Sequence, residues 1–113
     1  MPHDRIDTFA EFWPYYVREH SLLRTRIMHF VGTSLAMIAV ATAIALQYWW
    51  LLAAAPIAGY SLAWISHFGI EKNRPASFKY PLWSFLADLK LWALMLSGRM
   101  GAEVQRILGA TTR

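Results

Sequence analysis

Two long stretches of the chain carry no formal charge. Ile27–Leu46 (IMHFVGTSLAMIAVATAIAL) and Tyr48–Ser66 (YWWLLAAAPIAGYSLAWIS) are separated by Gln47 alone. A helix needs about 20 apolar residues to cross the hydrocarbon core of a bilayer, and both runs meet that length. The pattern predicts a tight helical hairpin. Tyr48, Trp49 and Trp50 fall at its turn, where amphipathic rings favour the lipid–water boundary. Gly32, Ala36, Ala39, Ala43, Ala53, Ala54, Ala58 and Gly59 are small enough for close helix contact, the way helices pack in lipid. Two buried helices of a water-soluble bundle are the alternative reading of the same runs.

The flanks differ in kind. Ile6, Phe9, Trp13, Tyr16 and Val17 recur at helical spacing, and Thr8 with Glu11 makes a capping box. Pro14 predicts a kink or a new helical start there. This segment reads as an amphipathic helix lying on a membrane surface or over the cytoplasmic end of the hairpin. After the hairpin, Glu71–Pro81 (EKNRPASFKYP) is a polar loop fenced by Pro75 and Pro81. Leu82–Ser97 (LWSFLADLKLWALMLS) is again apolar, with Asp88 and Lys90 near enough to neutralise each other in part, and Gly98 stops it. It is short for a full span, so it is a third membrane helix or a re-entrant or interfacial one. Met100–Leu108 reads as a short amphipathic tail. The fold class expected is all-α: a membrane hairpin, an N-terminal amphipathic helix and a C-terminal apolar helix in one domain over residues 1–113.

Composition narrows the classes. Of 113 residues, 57% are hydrophobic and 16% charged, against about 45–50% and about 25% in soluble domains. Disorder and a second domain are excluded on hydrophobicity and length. The absence of cysteine excludes a disulfide scaffold, a thiolate metal site and a Cys nucleophile. The net charge is +4, and nucleic acid explains it poorly, because the basic residues flank apolar runs. Arg18, Arg24 and Arg26 precede the first run, Lys72, Arg74 and Lys79 follow the second, and the turn has no cation. The positive-inside rule then puts both hairpin ends in the cytoplasm. Asp4, Asp7 and Glu11 interrupt the N-terminus, which does not read as a signal peptide.

Four histidines carry the candidate chemistry. His3, near the terminus, carries no expectation. His29 lies nineteen residues before Tyr48 and His67 nineteen after it, so a hairpin turning at Tyr48 puts both at one depth, the cytoplasmic boundary. Helices about 8–10 Å apart let two inward imidazoles share one metal ion. His20 is nine residues before His29, on the opposite face of a continuous helix, and joins them only across a break in Ser21–Arg24. Glu71, four residues after His67, is a fourth ligand or the acceptor that orients one. Neutral imidazole binds iron, zinc, copper and nickel, and histidines with open positions suit dioxygen activation on ferrous iron. Interfacial histidines bonded to backbone or headgroups are the plain alternative. Lys72, Arg74 and Lys79 are either carboxylate or phosphate binders or simple cytoplasmic anchors. No HExxH, Gly-rich phosphate loop or GxSxG is present.

The stretches YYVREHSLLRTRIMHFVGT (Tyr15–Thr33) and HFGIEKNRPASFKYPLWS (His67–Ser84) resemble the family of small membrane proteins that includes the fungal 2-hydroxy fatty acid dioxygenase of phytosphingosine breakdown. The resemblance spans roughly residues 9–98. It implies a membrane-embedded Fe2+ enzyme that uses dioxygen to shorten a 2-hydroxy fatty acid by one carbon with release of carbon dioxide. The family's required histidines fall on His20, His29 and His67. On this reading His20, His29, His67 and Glu71 hold the metal, and Arg74, Lys79, Asn73 and Tyr80 contact the substrate. The acyl chain is expected among Trp64, Phe68, Trp83 and Phe85 or out along the hairpin. The expected partners are the bilayer, a fatty acid-type lipid and dioxygen, with a homo-oligomer open. A non-catalytic membrane protein and a zinc-dependent lipid hydrolase on the same ligands are the rivals.

Overall fold

A computed structural model describes residues 6–75 and 78–109. His3 lies outside the described residues. The chain forms five α-helices and, among the described residues, no strand: α1 (Phe9–Glu19), α2 (Leu23–Leu46), α3 (Leu51–Ile65), α4 (Pro81–Leu96) and α5 (Met100–Leu108). A six-residue π-helical turn, Ser66–Glu71, prolongs α3.

Helices α2 and α3 are the predicted hairpin. Gln47 ends α2 in the left-handed conformation (φ 57°), and Tyr48, Trp49 and Trp50 stand exposed at the tip. Both arms, Leu23–Leu46 and Leu51–Glu71, are long and apolar enough to cross a membrane. They cross at the glycines. A Cβ on Gly32 would lie 3.1 Å from the Gly59 carbonyl oxygen, so the two backbones touch. Ala43 is fully buried, whereas Ala53 faces outward and takes no part in that contact. Away from this seam the surface is apolar: Ile38, Ile44, Ile57 and Ile65 are each at least 57% exposed.

Helices α1, α4 and α5 build a second region with a core of its own. Phe12, Trp13, Tyr16 and Val17 of α1 pack on Tyr80, Ala87 and Leu91 and on Met100 and Val104 of α5. The Thr8 hydroxyl accepts the Glu11 N–H (3.2 Å) and starts α1 as its sequence suggests. The helix runs unbroken through Pro14. Proline there removes only the bond to the Ala10 carbonyl, near the exposed first turn, while the buried face on both sides holds the helix together. Asp88 and Lys90 do not pair. The Tyr16 hydroxyl donates to Asp88 Oδ1 (2.5 Å), and Lys90 sits over the Trp13 ring (4.4 Å to the centroid). Their directions differ because residues two apart on a helix point to different faces. Gly98 ends the α4 segment at φ 74°. Trp92 ties α4 to the hairpin through Ser34 Oγ (3.0 Å) and a stack on Phe30.

Candidate metal centre

The site lies where the two regions meet. Helix α1 ends at His20, and α2 restarts at Leu23. The break is pinned from two sides. Arg26 Nη1 donates to the carbonyls of His20 (2.9 Å) and Ser21 (2.8 Å). The Leu22 N–H, a donor that α2 itself leaves without a helical acceptor, donates to Glu71 Oε2 (2.8 Å). This turn reverses the nine-residue offset that would otherwise keep His20 away from His29.

All three histidines are buried, with exposures of 1% for His20, 4% for His29 and 2% for His67. His20 Nε2 lies 3.0 Å from His29 Nε2 and 3.0 Å from His67 Nε2. The opposite ring nitrogens all face acceptors. His20 Nδ1 is 2.6 Å from the Tyr16 carbonyl, His29 Nδ1 is 3.1 Å from the Thr25 carbonyl, and His67 Nδ1 is 2.7 Å from Asn73 Oδ1. These oxygens accept, so each Nδ1 carries the proton and each Nε2 turns a bare lone pair inward. Three lone pairs at that separation repel one another, and a shared cation turns the repulsion into ligation. Burial pushes the His20 imidazole well below its ordinary range, and the neighbouring His29 and His67 push the same way. A proton is therefore a poor substitute for a metal there.

The surroundings fit an ion. A void of about 10 Å³ beside the imidazoles has room for one water-sized occupant. It is lined by Tyr16, Tyr60, Ser84 and Asp88 as well as the triad. The Ser84 hydroxyl, 3% exposed, finds no hydrogen-bond partner among the described residues, although a buried polar group ordinarily has one. Tyr16 stacks on His20 with centroids 3.9 Å apart, and burial together with Asp88 raises its hydroxyl well above the usual phenol range.

The structure thus brings together His20, His29 and His67 and gives the other candidates different partners. Glu71 points to Leu22 N–H, not into the triad. The π turn accounts for this, since i→i+5 bonding rotates Glu71 off the face that α-helical spacing gives it. Asn73 holds His67 and donates from Nδ2 to the Glu19 carbonyl (3.2 Å). The Tyr80 hydroxyl accepts the Ile6 N–H (3.0 Å) inside the aromatic core. Arg74 and Lys79 are exposed and line neither cavity, with Lys79 near the Tyr80 ring. Of the expected chain-binding aromatics, Trp64 lines the triad void and Phe85 the apolar cavity beside it, while Trp83 packs on Phe9 and Phe68 on Phe78. The sequence does not assign Tyr16, Ser84 or Asp88 to the site: Tyr16 reads as part of an amphipathic stripe and Asp88 as a partner of Lys90. None belongs to a motif; the (i, i+4) spacing of Ser84 and Asp88 on an apolar helix is a signal for those two, and Tyr16 carries none.

Compared with known proteins, residues 6–100 match a family model described as Mpo1-like, 2-hydroxy-palmitic acid dioxygenase Mpo1-like. No curated protein and no solved structure matches.

Proposed function

The chain belongs to the Mpo1-like family, and from that membership and its buried histidine triad we propose that it is an Fe2+-dependent dioxygenase of 2-hydroxy fatty acids, embedded in a membrane with both hairpin ends on the cytoplasmic side. One 2-hydroxy acid and one dioxygen give an acid one carbon shorter, one carbon dioxide and one water. The substrate supplies all the electrons, so the chemistry calls for no organic cofactor. The observation that carries the reading is the convergence of three Nε2 lone pairs, with each opposite nitrogen held by an oxygen.

His20, His29 and His67 would hold the metal, which when bound supplies the one-electron chemistry that lets dioxygen react with a closed-shell acid. The protein's own groups do the rest. The Tyr16 carbonyl and Asn73 fix the ring orientations of His20 and His67. Tyr16, stacked on His20, and Trp64 beside the triad exclude water from the reacting end. Ser84 Oγ offers an unused donor for a substrate oxygen, and Asp88 Oδ1 is engaged by Tyr16 beside it. Arg74 and Lys79, exposed and outside the lining of the triad void, suit collecting an anionic head from the headgroup layer better than holding it at the metal.

The test is metal analysis of detergent-purified protein combined with product analysis. One iron per chain and formation of the shortened acid, coupled to dioxygen uptake, support the proposal. Zinc at equal stoichiometry with ester or amide cleavage would make the hydrolase the better reading. No metal above background would leave a non-catalytic membrane protein.

A further inference from the structure

The triad void is too small for more than an ion and its immediate partners, which leaves the hydrocarbon of the substrate without a place. A second cavity of about 720 Å³ opens from the same point and shares His29, Tyr60, Ala63 and Asp88 with the first. Its volume falls within the roughly 300–1,000 Å³ that encloses a small-molecule ligand. It follows one face of α2 from His29 through Thr33 and Met37 to Ile44, which is 61% exposed where the groove opens at the surface, with Ala55 and Gly59 of α3 opposite. At about 1.5 Å per residue, His29 to Ile44 spans roughly 22 Å, well over half of a hydrocarbon core about 30 Å thick.

Its polarity is graded. His29, Tyr60 and Asp88 stand at one end, and past Thr33 every lining residue on the hairpin is apolar. Small side chains make the space. Gly32 and Gly59 bring the helices together, and beyond that crossing Ala41 and Ala55 leave the wall open where larger residues would close it. A lipid of the surrounding bilayer keeps its headgroup outside the protein. An occupant here must put its polar end beside a buried histidine and a carboxyl group, which matches a free amphiphile with one chain.

We propose that this groove holds the single unbranched acyl chain of the substrate, with its oxygenated end at His29 and Asp88 and its methyl end between Ile44 and Ala55, so that Ala41, Ile44 and Ala55 set the longest chain accepted. The assignment rests on the function proposed above, and it adds where the chain lies and what measures it. Ala41→Trp fills the far end and shortens the groove. Ile44→Ala lengthens it.

The experiment uses the full chain in detergent and a long-chain 2-hydroxy acid carrying a diazirine at its methyl end. Photolabelling is expected within residues 40–56 and is competed away by the unlabelled acid. Across a series of 2-hydroxy acids, Ala41→Trp lowers the long-chain to medium-chain ratio of affinity at least about tenfold, the burial of a few methylenes. Ile44→Ala moves the preferred length upward. Labelling confined to the outward residues Leu35, Ile38 and Ile57, equal labelling by a phospholipid with the same probe, or an unchanged length profile in both variants overturns the groove. Chain-length-dependent labelling of residues 40–56 without any shortened product keeps the groove and overturns the reaction. Product formation with unaltered length profiles does the reverse.

Discussion

The hairpin and the aromatic region beside it are both helical and both rich in apolar residues, yet they are built on opposite plans. In α1 and α5, and on the face of α4 that meets them, the large side chains turn inward, while Leu82, Phe85 and Leu96 on the rest of α4 stay at least 50% exposed. Phe12, Val17, Ala87 and Leu91 are no more than 1% exposed, and polar tips find partners, as Trp13 Nε1 does on Glu103 (2.6 Å). In α2 and α3 the large side chains turn outward, and the contact between helices falls to Gly32, Gly59 and Ala43. Hydrophobic burial holds the first region together. The second has almost no such core and relies on close backbone packing, the kind of contact by which helices associate in an apolar solvent. The triad sits on the seam. His20 comes from the first region and His29 and His67 from the second, so the site exists only when both are assembled.

Removing one ligand therefore gives the largest effect, and it should leave both regions standing. His67→Ala is expected to lose the bound metal and all turnover, while helicity and detergent solubility stay as in the parent. His67 contributes one imidazole to the site, whereas the Gly32–Gly59 crossing and the Leu91 core lie elsewhere. Stoichiometric metal retained in this variant would break the ligand assignment.

The contrast in side-chain direction is testable by deleting similar aliphatic side chains on each side of it. Leu91→Ala in the aromatic core should cost about 2–5 kcal/mol, the range for emptying a packed leucine site. Ile57→Ala, at a position 67% exposed on α3, should fall within about 0.5 kcal/mol, as surface changes do. Denaturant titration of the detergent-solubilised protein measures both. A comparable loss at Ile57 would mean that a second copy of the chain covers that face.

The hairpin was legible because its signal is compositional and continuous. Two charge-free runs and one short turn leave few alternatives, and the structure departs from them mainly at the ends, where α2 begins four residues earlier, at Leu23. The meeting of three histidines was legible in part. Equal counts on either side of Tyr48 align His29 with His67, and nine residues demand a break before His20 can join them. What pins that break was not legible. Arg26 and Glu71 act on backbone groups, Leu22 N–H and the carbonyls of His20 and Ser21, which carry no residue-type signature. The π turn was hidden for a related reason: it changes hydrogen-bond register without a marker in composition, and it moved Glu71 off the face that helical spacing gave it. Tyr16 was read as one more member of an amphipathic stripe. Its bond to Asp88 depends on a helix 72 residues away, and its stack on His20 on how α1 ends at that residue.

Asn73 gives the smallest and most discriminating test of the seam, because it binds both sides of it. Its Oδ1 accepts from His67 Nδ1, and its Nδ2 donates to the Glu19 carbonyl at the end of α1. Loss of an outer partner of a ligating histidine ordinarily costs about 10–100-fold in metal affinity, or about 1.4–2.7 kcal/mol. Asn73→Ala should fall in that range and remain rescuable by excess metal. Asn73→Asp keeps the acceptor that fixes the His67 tautomer and loses the donor to α1, so it should retain most of the affinity. Metal titration of the three proteins separates the two bonds. If Ala and Asp variants weaken binding equally, orientation of His67 is not what Asn73 contributes, and the tie to α1 carries the effect instead.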